Sequence, residues 1–228
     1  REAFGTQRRF MQDAAHELRT PIAAIGLQLE NLRGDMNCDA SRARFAQLEA
    51  GVRRAQRLVD QLLRLSRQQA EQQAEGPAAV ELQAQLRESI NTLIAVADQR
   101  GIDLGLEVAP GVPTTPIIVR CAPADLRSLL DNLIENALRY TPEGGVVDVR
   151  LLHENGHYAV EVVDTGPGIP TELLPRVFDR FFRVPGNGVP GSGLGLAIAQ
   201  AAAERCGLSL VLRNRTDRSG LVARIERA

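Results

Sequence analysis

The side chains that could do chemistry in this 228-residue chain lie in a few short segments. In "DNLIENALRYTP", residues 131–142, Asn132, Asn136 and Arg139 stand at i, i+4 and i+7 and so share one helix face. Asn can offer its carbonyl oxygen to a hard cation such as Mg²⁺, which also takes phosphate oxygens and water. A solvated polar helix face would produce the same spacing, so this segment alone leaves both interpretations open.

A second segment, "VVDTGPGIP" at 162–170, places an acidic residue at the end of an apolar strand. Asp164 is followed by Gly166 and Gly168, whose missing side chains would let a flat ring approach the backbone closely. An adenine amino group is one natural donor to such a carboxylate. An ordinary glycine-rich turn remains the alternative for this segment taken alone.

A third segment runs from the aromatic cluster "VFDRFFRV" into "PGNGVPGSGLGLAIAQ". Gly191, Gly193 and Gly195 precede an apolar helix, where free amides and the positive helix end can hold phosphates. The pattern is not the dinucleotide-binding fingerprint, because its spacing is GxGxG with no third glycine at the position that fingerprint requires, and a loop, not a strand, comes before it.

The fourth segment is "AAHELRTP", residues 14–21. At about 100° per residue, His16 points roughly 150° away from the apolar stripe that contains Leu18 and Ile22, so it faces solvent. A neutral imidazole there can act as a nucleophile, with Glu17 as acceptor for the proton on its other ring nitrogen. Most isolated histidines are unremarkable surface or core residues, and this segment alone does not decide between the two.

Composition limits the possible partners. The chain has 27 basic and 28 acidic residues and 44% hydrophobic residues, so nothing favours nucleic acid or an acidic membrane surface. No apolar run is long enough to cross a bilayer, which predicts no membrane contact in this fragment.

The start at Arg1 suggests a piece of a longer protein. Three widely spaced cysteines without a metal-ligand pattern indicate ordinary thiols.

Two long helices should position His16. Apolar residues recur every seven from Phe4 to Leu32, and a similar stripe runs from Phe45 to Leu62 after a polar break. Together they predict an antiparallel hairpin. One hairpin leaves its stripe exposed, so we expect a homodimer that forms a four-helix bundle.

Periodicity ends in "RQQAEQQAEGPAA", which predicts a domain boundary: residues 1–75, then 76–228. Beyond it, strands and helices alternate, as in an α/β sandwich with helices on one face of a mostly antiparallel sheet. The predicted strands are "AVEL", "IDLGLEV", "PIIVR", a hairpin over "VVDVRLLHENGHYAVEVVD", "LSLVLRN" and "LVARIER"; the helices are 83–99, one from Pro123, and "GLGLAIAQAAAERC".

The order of these segments is more informative than any one of them. An Asn-rich helix, an Asp-Gly-Gly turn, a Phe-rich segment and a Gly-rich loop before a helix resemble the N box, first glycine box, F box and second glycine box of sensor histidine kinases. "HELRTP" resembles their H box. The resemblance implies a dimerisation and histidine-phosphotransfer hairpin followed by an ATP-binding domain of the Bergerat (GHKL) type.

The resemblance also implies roles for individual residues. Asn136 would coordinate Mg²⁺, Asn132 would lie against the phosphates, Asp164 would bind the adenine amino group, and Arg183 would reach the terminal phosphate. Further residues would line the nucleotide pocket or cradle the triphosphate: Arg139, Tyr140, Gly166, Gly168, Gly193, Leu194, Gly195 and Leu196. Residues 184–192 would form a mobile lid.

The implied reaction is autophosphorylation of His16 from ATP, assisted by Glu17, followed by transfer to an aspartate of a response-regulator receiver domain. Thr20, one turn on, would orient water for dephosphorylating that partner. By the same resemblance, the fragment is the cytoplasmic portion of a bacterial inner-membrane protein.

Three alternative functions make different demands on these residues. A Bergerat-type ATPase carries Glu as general base where this chain has Asn132, and an amide cannot take a proton from water, so we expect slow hydrolysis. An anti-sigma-type serine kinase lacks the long hairpin with His16. A catalytically inactive scaffold would bind nucleotide without phosphorylating His16.

Overall fold

The computed structural model describes seven residues of the N-terminal part and nearly all of the C-terminal part. These are residues 25, 45–46, 48–49, 51–52, 76–113, 115–154, 156–179, 181–185, 189 and 192–227. The chain divides into two compact units, Arg1–Ala74 and Glu75–Ala228. The seven described residues of the first unit are helical. The rest of the predicted hairpin, with His16, Glu17 and Thr20, lies outside the described residues.

The second unit alternates strands and helices, as predicted. In chain order its elements are β1 (Ala78–Glu81), α1 (Leu82–Gln99), β2 (Asp103–Val108), β3 (Ile118–Cys121), α2 (Pro123–Tyr140), β4 (Val146–Glu154), β5 (His157–Asp164), a short 3₁₀ helix (Thr171–Arg176), α3 (Gly195–Arg205), β6 (Leu208–Asn214) and β7 (Leu221–Arg227).

The strands form two sheets. The larger has the order β2-β4-β5-β7-β6, with β2 and β4 parallel and every other pair antiparallel. Strands β1 and β3 form a separate antiparallel pair. The sequence pattern predicts a single sheet, whereas the strands form two, because side-chain alternation indicates a strand but not its distant partner.

The core lies between the large sheet and the helices. In β4, Val147, Val149 and Leu151 are buried while the residues between them are partly exposed, as expected for a strand with one face packed. Helix α2 contributes a wide buried stripe, which consists of Leu126, Leu129, Leu130, Leu133, Ile134, Ala137 and Leu138. Each buried leucine contributes about 1.5–3 kcal/mol. The α/β sandwich is therefore confirmed.

Helix α2 has well-defined ends. It begins with Pro123, which suits a first helical position, and Asp125 lies in its first turn. It stops at Tyr140 because the next residue precedes Pro142 and is extended. The buried hydroxyl of that residue, Thr141, donates to the carbonyl of Ala137 at 2.8 Å and caps the last turn. This termination places Arg139 and Tyr140 at the end of the helix.

The turn between β4 and β5 joins Glu154 to His157 through two residues. Gly156 has a φ of +80°, as the predicted Asn-Gly turn requires. Among the described residues, no helix has the length and hydropathy needed to span a membrane.

Candidate active site

One pocket brings together most of the residues predicted to bind nucleotide. Its lining is formed by Asn136, Arg139, Tyr140, Asp164, Pro167, Gly168, Ile169, Val177, Phe182, Arg183, Val184, Gly193, Gly195, Leu196 and Leu221. The predicted residues Asn132, Gly166 and Leu194 lie beside this lining.

The carboxamides of α2 have different surroundings. Asn132 donates from Nδ2 to the carbonyl of Ser128 at 2.7 Å, which turns its Oδ1 toward the start of α3. A Cβ on Gly195 would lie 3.3 Å from that oxygen. Asn136 lines the pocket, and within the described part of the chain its carboxamide makes no hydrogen bond. The Asn136 oxygen is therefore available to a ligand.

Asp164 is the buried acid of the pocket, with 5% of its surface exposed. Its Oδ1 accepts hydrogen bonds from the amides of Gly166 and Leu221, at 2.8 and 3.1 Å. Burial raises the pKa of this carboxyl above its ordinary value, and the two amides partly oppose the shift. No hydrogen bond to Oδ2 comes from the described residues, which leaves that oxygen as an acceptor for a ligand N–H.

The turn after Asp164 must be built from glycine. A Cβ on Gly166 would lie 2.9 Å from the carbonyl oxygen of Tyr140, so this turn touches the end of α2 directly. Gly168 has a φ of +73°, where side chains are strained. Close contact between the turn and α2 brings Asp164 and Tyr140 to the same pocket.

The pocket also has an apolar wall. It includes Ile169, Val177 and Phe182, and the guanidinium of Arg176 stacks on the Phe182 ring with 4.6 Å to the centroid. This wall suits the flat, weakly polar face of a nucleobase.

Helix α3 supplies free amides. Its N-cap residue, Leu194, makes no side-chain capping bond, so the amides of the first turn are not satisfied by a cap. Gly193 has a φ of +71°, and a Cβ there would lie 2.6 Å from the carbonyl oxygen of Phe182. The helix begins at Gly195, and its first turn faces the pocket through Leu196. The arrangement can hold an anion.

Arg183 also lines the pocket, and its Nη2 donates to the carbonyl of Val189 at 2.6 Å. The guanidinium is therefore held toward the segment predicted to form the lid. Residues 186–188, 190 and 191 of that segment lie outside the described residues.

The β6–β7 connection also contributes to the pocket, and no sequence motif predicts this contribution. Leu221 lines the pocket, and Asn214, Arg215 and Ser219 make hydrogen bonds to the turn at 164–169. No motif marks these residues, because their role depends on a contact between segments far apart in the chain.

Within the part of the chain that the structure describes, no three His, Cys, Asp or Glu side chains cluster as a metal site. Mg²⁺ needs no such cluster, because it binds through one or two protein oxygens with phosphate and water. The available Asn136 oxygen beside the free amides of α3 fits that mode.

Comparison with known proteins agrees with this geometry. Residues 121–226 match the family model described as histidine kinase-, DNA gyrase B- and HSP90-like ATPase. Residues 6–71 match the His Kinase A (phospho-acceptor) domain model, and this range includes His16.

Individual relatives are sensor proteins. The chain is 40% identical to sensor protein QseC of Salmonella typhi over 210 residues, which cover 91% of this chain and 45% of the relative. It is 36% identical to the swarming motility regulation sensor protein RssA of Serratia marcescens, over 94% of this chain and 45% of the relative. The chain thus spans less than half the length of these relatives.

A solved structure, the mycobacterial sensor histidine kinase MprB, superposes with a TM-score of 0.55 at 31% identity. The match covers 66% of this chain and 98% of that one. Both family models, these relatives and the shared fold lead to one conclusion: the chain belongs to the sensor histidine kinase family.

Proposed function

We propose that this chain is the kinase core of a two-component sensor. Residues 1–75 form its dimerisation and phosphotransfer domain, and residues 76–228 form its ATP-binding catalytic domain. The core transfers the γ-phosphoryl group of ATP to His16, then to an aspartate of a response regulator. Support for the phosphoacceptor comes from the family match over residues 6–71.

The hydrogen bonding of the Asp164 carboxylate is the main support for nucleotide binding. One carboxylate oxygen is held by two backbone amides, and the other is left for a ligand in a pocket with an apolar wall. Such an acceptor favours adenine, which offers an amino group, over guanine, which offers a carbonyl at the equivalent edge. The match of residues 121–226 to an ATPase family supports the same ligand.

Asn136 is the residue that would hold Mg²⁺. When bound, the metal would neutralise phosphate charge during transfer. Arg183, Arg139 and the amides after Gly193 would surround the remaining phosphate oxygens, since the chain has no lysine to do so.

The chemistry at His16 begins with a neutral imidazole. One ring nitrogen attacks the γ-phosphorus, the bond to the β,γ-bridging oxygen breaks, and ADP leaves. Glu17 accepts the proton from the other ring nitrogen. In the second step the phosphorus–nitrogen bond breaks as an aspartate oxygen of the regulator takes the phosphoryl group. In a separate phosphatase reaction, Thr20 orients a water that hydrolyses the aspartyl phosphate of the regulator and releases inorganic phosphate.

Dimerisation follows from the apolar stripes. Ile25 and Leu48 belong to the two predicted stripes and are 45% and 56% exposed in the single chain. Pairing with a second copy would cover such residues. The parent protein is proposed to be a bacterial inner-membrane sensor whose kinase core is cytoplasmic, as the similarity to sensor proteins suggests.

The test is incubation with γ-labelled ATP and Mg²⁺, comparing wild type, His16→Gln and the control His157→Gln. His157 is exposed in the β4–β5 hairpin. We expect acid-labile, alkali-stable label in wild type and His157→Gln and none in His16→Gln. Label that persists in His16→Gln, or its absence from wild type despite nucleotide binding, would contradict the proposal.

A further inference from the structure

Asn214 is the last residue of β6 and lies next to the glycine turn of the pocket. Its Oδ1 accepts a hydrogen bond from the amide of Ile169 at 2.9 Å, and its Nδ2 donates to the carbonyl of Ile169 at 2.6 Å. A single carboxamide thus pairs with both backbone groups of one residue, as a neighbouring strand would. The donor and acceptor pattern defines the orientation of the amide.

These two bonds hold the pocket wall. Ile169 and the preceding Gly168 both line the pocket. A Cβ on Gly168 would lie 2.8 Å from the Asn214 oxygen, so the turn packs directly on this side chain. Displacement of Asn214 would therefore shift Gly168 and Ile169 together.

The two ends of the turn are held differently. At the Asp164 end, the amides of Gly166 and Leu221 bind the carboxylate, and Arg215 donates to the carbonyl of Asp164. At the Ile169 end, no other hydrogen bond to the backbone of Ile169 is made by the described residues. The position of that end depends on one side chain.

We infer that Asn214 is a positioning residue for nucleotide binding: it holds Gly168 and Ile169 where they form the wall beside Asp164, without touching the nucleotide. This inference rests on the proposed function of the pocket. Because Asn214 acts on a wall of the pocket and is not near any reacting atom, its loss should weaken ATP binding and leave the transfer step unchanged.

The first experiment compares ADP·Mg binding by wild type, Asn214→Leu and the matched control Arg213→Gln, using calorimetry on the full chain. Leucine keeps most of the volume but makes neither bond. Arg213 is one residue earlier and binds Glu161 at 3.2 Å, not the turn. We expect about tenfold weaker binding or worse for Asn214→Leu, as two hydrogen bonds would imply, and wild-type binding for the control.

Autophosphorylation gives the second readout. For Asn214→Leu we expect the KM for ATP to rise by a factor similar to that for binding, with kcat within twofold of wild type. A variant that was merely destabilised would lose active protein and so lower kcat with KM unchanged. That pattern would overturn the inference.

Asn214→Asp provides a pH signature that a packing defect would not produce. The ionised carboxylate accepts from the Ile169 amide but repels its carbonyl, whereas the protonated carboxyl restores both bonds. We expect ADP affinity, relative to wild type at the same pH, to recover as the pH falls from 8 to 5. The Asn214→Leu ratio should stay flat over this range.

The outcomes separate the two proposals. Absence of ADP binding by wild type would overturn the proposed function and this inference with it. Normal wild-type binding, with Asn214→Leu within twofold of it, would overturn the inference alone.

Discussion

Arg205 at the end of α3 binds Asp125 in the first turn of α2 through two hydrogen bonds to one carboxylate oxygen, 2.9 Å from Nε and 2.7 Å from Nη2. The carboxylate is buried, and the guanidinium is partly exposed. This pair joins the end of α3 opposite Gly195 to the end of α2 opposite Tyr140. It helps to hold together the two helices that carry the pocket.

Loss of the arginine should therefore destabilise the catalytic unit. Arg205→Met leaves Asp125 buried without its partner, and we expect a loss of about 1–3 kcal/mol in the free energy of unfolding. Urea denaturation of the full chain measures it. Adding Asp125→Asn removes the uncompensated charge and should recover part of the loss; additive effects of the two substitutions would contradict the coupling.

Asp164→Asn should separate binding from stability. The amide keeps an oxygen for Gly166 and Leu221 but presents an N–H₂ group to the adenine amino group. We expect ADP binding to weaken about 10–100-fold, while the melting temperature without nucleotide stays equal to or above that of wild type. Wild-type affinity in a titration of the variant would rule out the adenine-reading role.

The stability of Asp164→Asn should also depend on pH in a defined direction. Burial raises the pKa of Asp164 above its ordinary value of 3.8. The folded chain then holds this proton more tightly than the unfolded chain. Wild-type stability therefore falls as the pH rises from the ordinary pKa of 3.8 through the raised pKa of the folded chain. The variant lacks this penalty, and its advantage in denaturant titrations should grow with pH and then level off. An advantage that shrinks with rising pH would contradict the shift.

Two glycine substitutions form a matched pair. In Gly166→Ala the new Cβ would lie 2.9 Å from the Tyr140 carbonyl oxygen and 3.0 Å from the Asp164 carboxylate, so the pocket must distort. Gly105, within β2, has no atom within 4 Å of the corresponding Cβ position. We expect Gly166→Ala to weaken ADP binding at least tenfold, because the distortion would disturb the hydrogen bond between the nucleotide and the Asp164 carboxylate, and loss of a hydrogen bond to a charged group has about that effect. Gly105→Ala should bind normally and gain about 0.5 kcal/mol in stability. Equal binding by both would argue against the steric assignment.

Asn136→Ala tests the metal role. With wild type, we expect Mg²⁺ to strengthen ADP binding and chelation by EDTA to abolish the gain. The variant should bind ADP alike with and without Mg²⁺, because the protein oxygen for the metal is gone. Glu135→Gln changes the exposed neighbour and should respond to Mg²⁺ as wild type does. A full Mg²⁺ response in Asn136→Ala would exclude this ligand.

The thiols of Cys121 and Cys206 should be unreactive in the folded chain. Both are buried, and burial raises the pKa of each. We expect no alkylation of either by iodoacetamide at pH 7.5 in buffer and full alkylation in denaturant, read by peptide mass spectrometry. Rapid labelling of Cys206 under native conditions would show that the site is open.

Local signals in the sequence were sufficient to predict most helices and strands, the family and most of the pocket residues. Periodicity located the helix beginning at Pro123 and the final strands, because side-chain spacing follows directly from helix and strand geometry. The order of the H, N, F and glycine boxes along the chain indicated the family and the pocket residues, including Asn136 and Asp164. Roles assigned to His16, Glu17 and Thr20 remain predictions, since they lie outside the described residues.

Only the tertiary structure revealed the contacts between distant segments. Asn214 reaches Ile169 across 45 positions, and the Leu221 amide binds Asp164 across 57. The separate β1–β3 sheet belongs to the same class. Local sequence determines which backbone conformation each segment prefers, but pairing between segments depends on how all of them pack at once, and no short pattern encodes that.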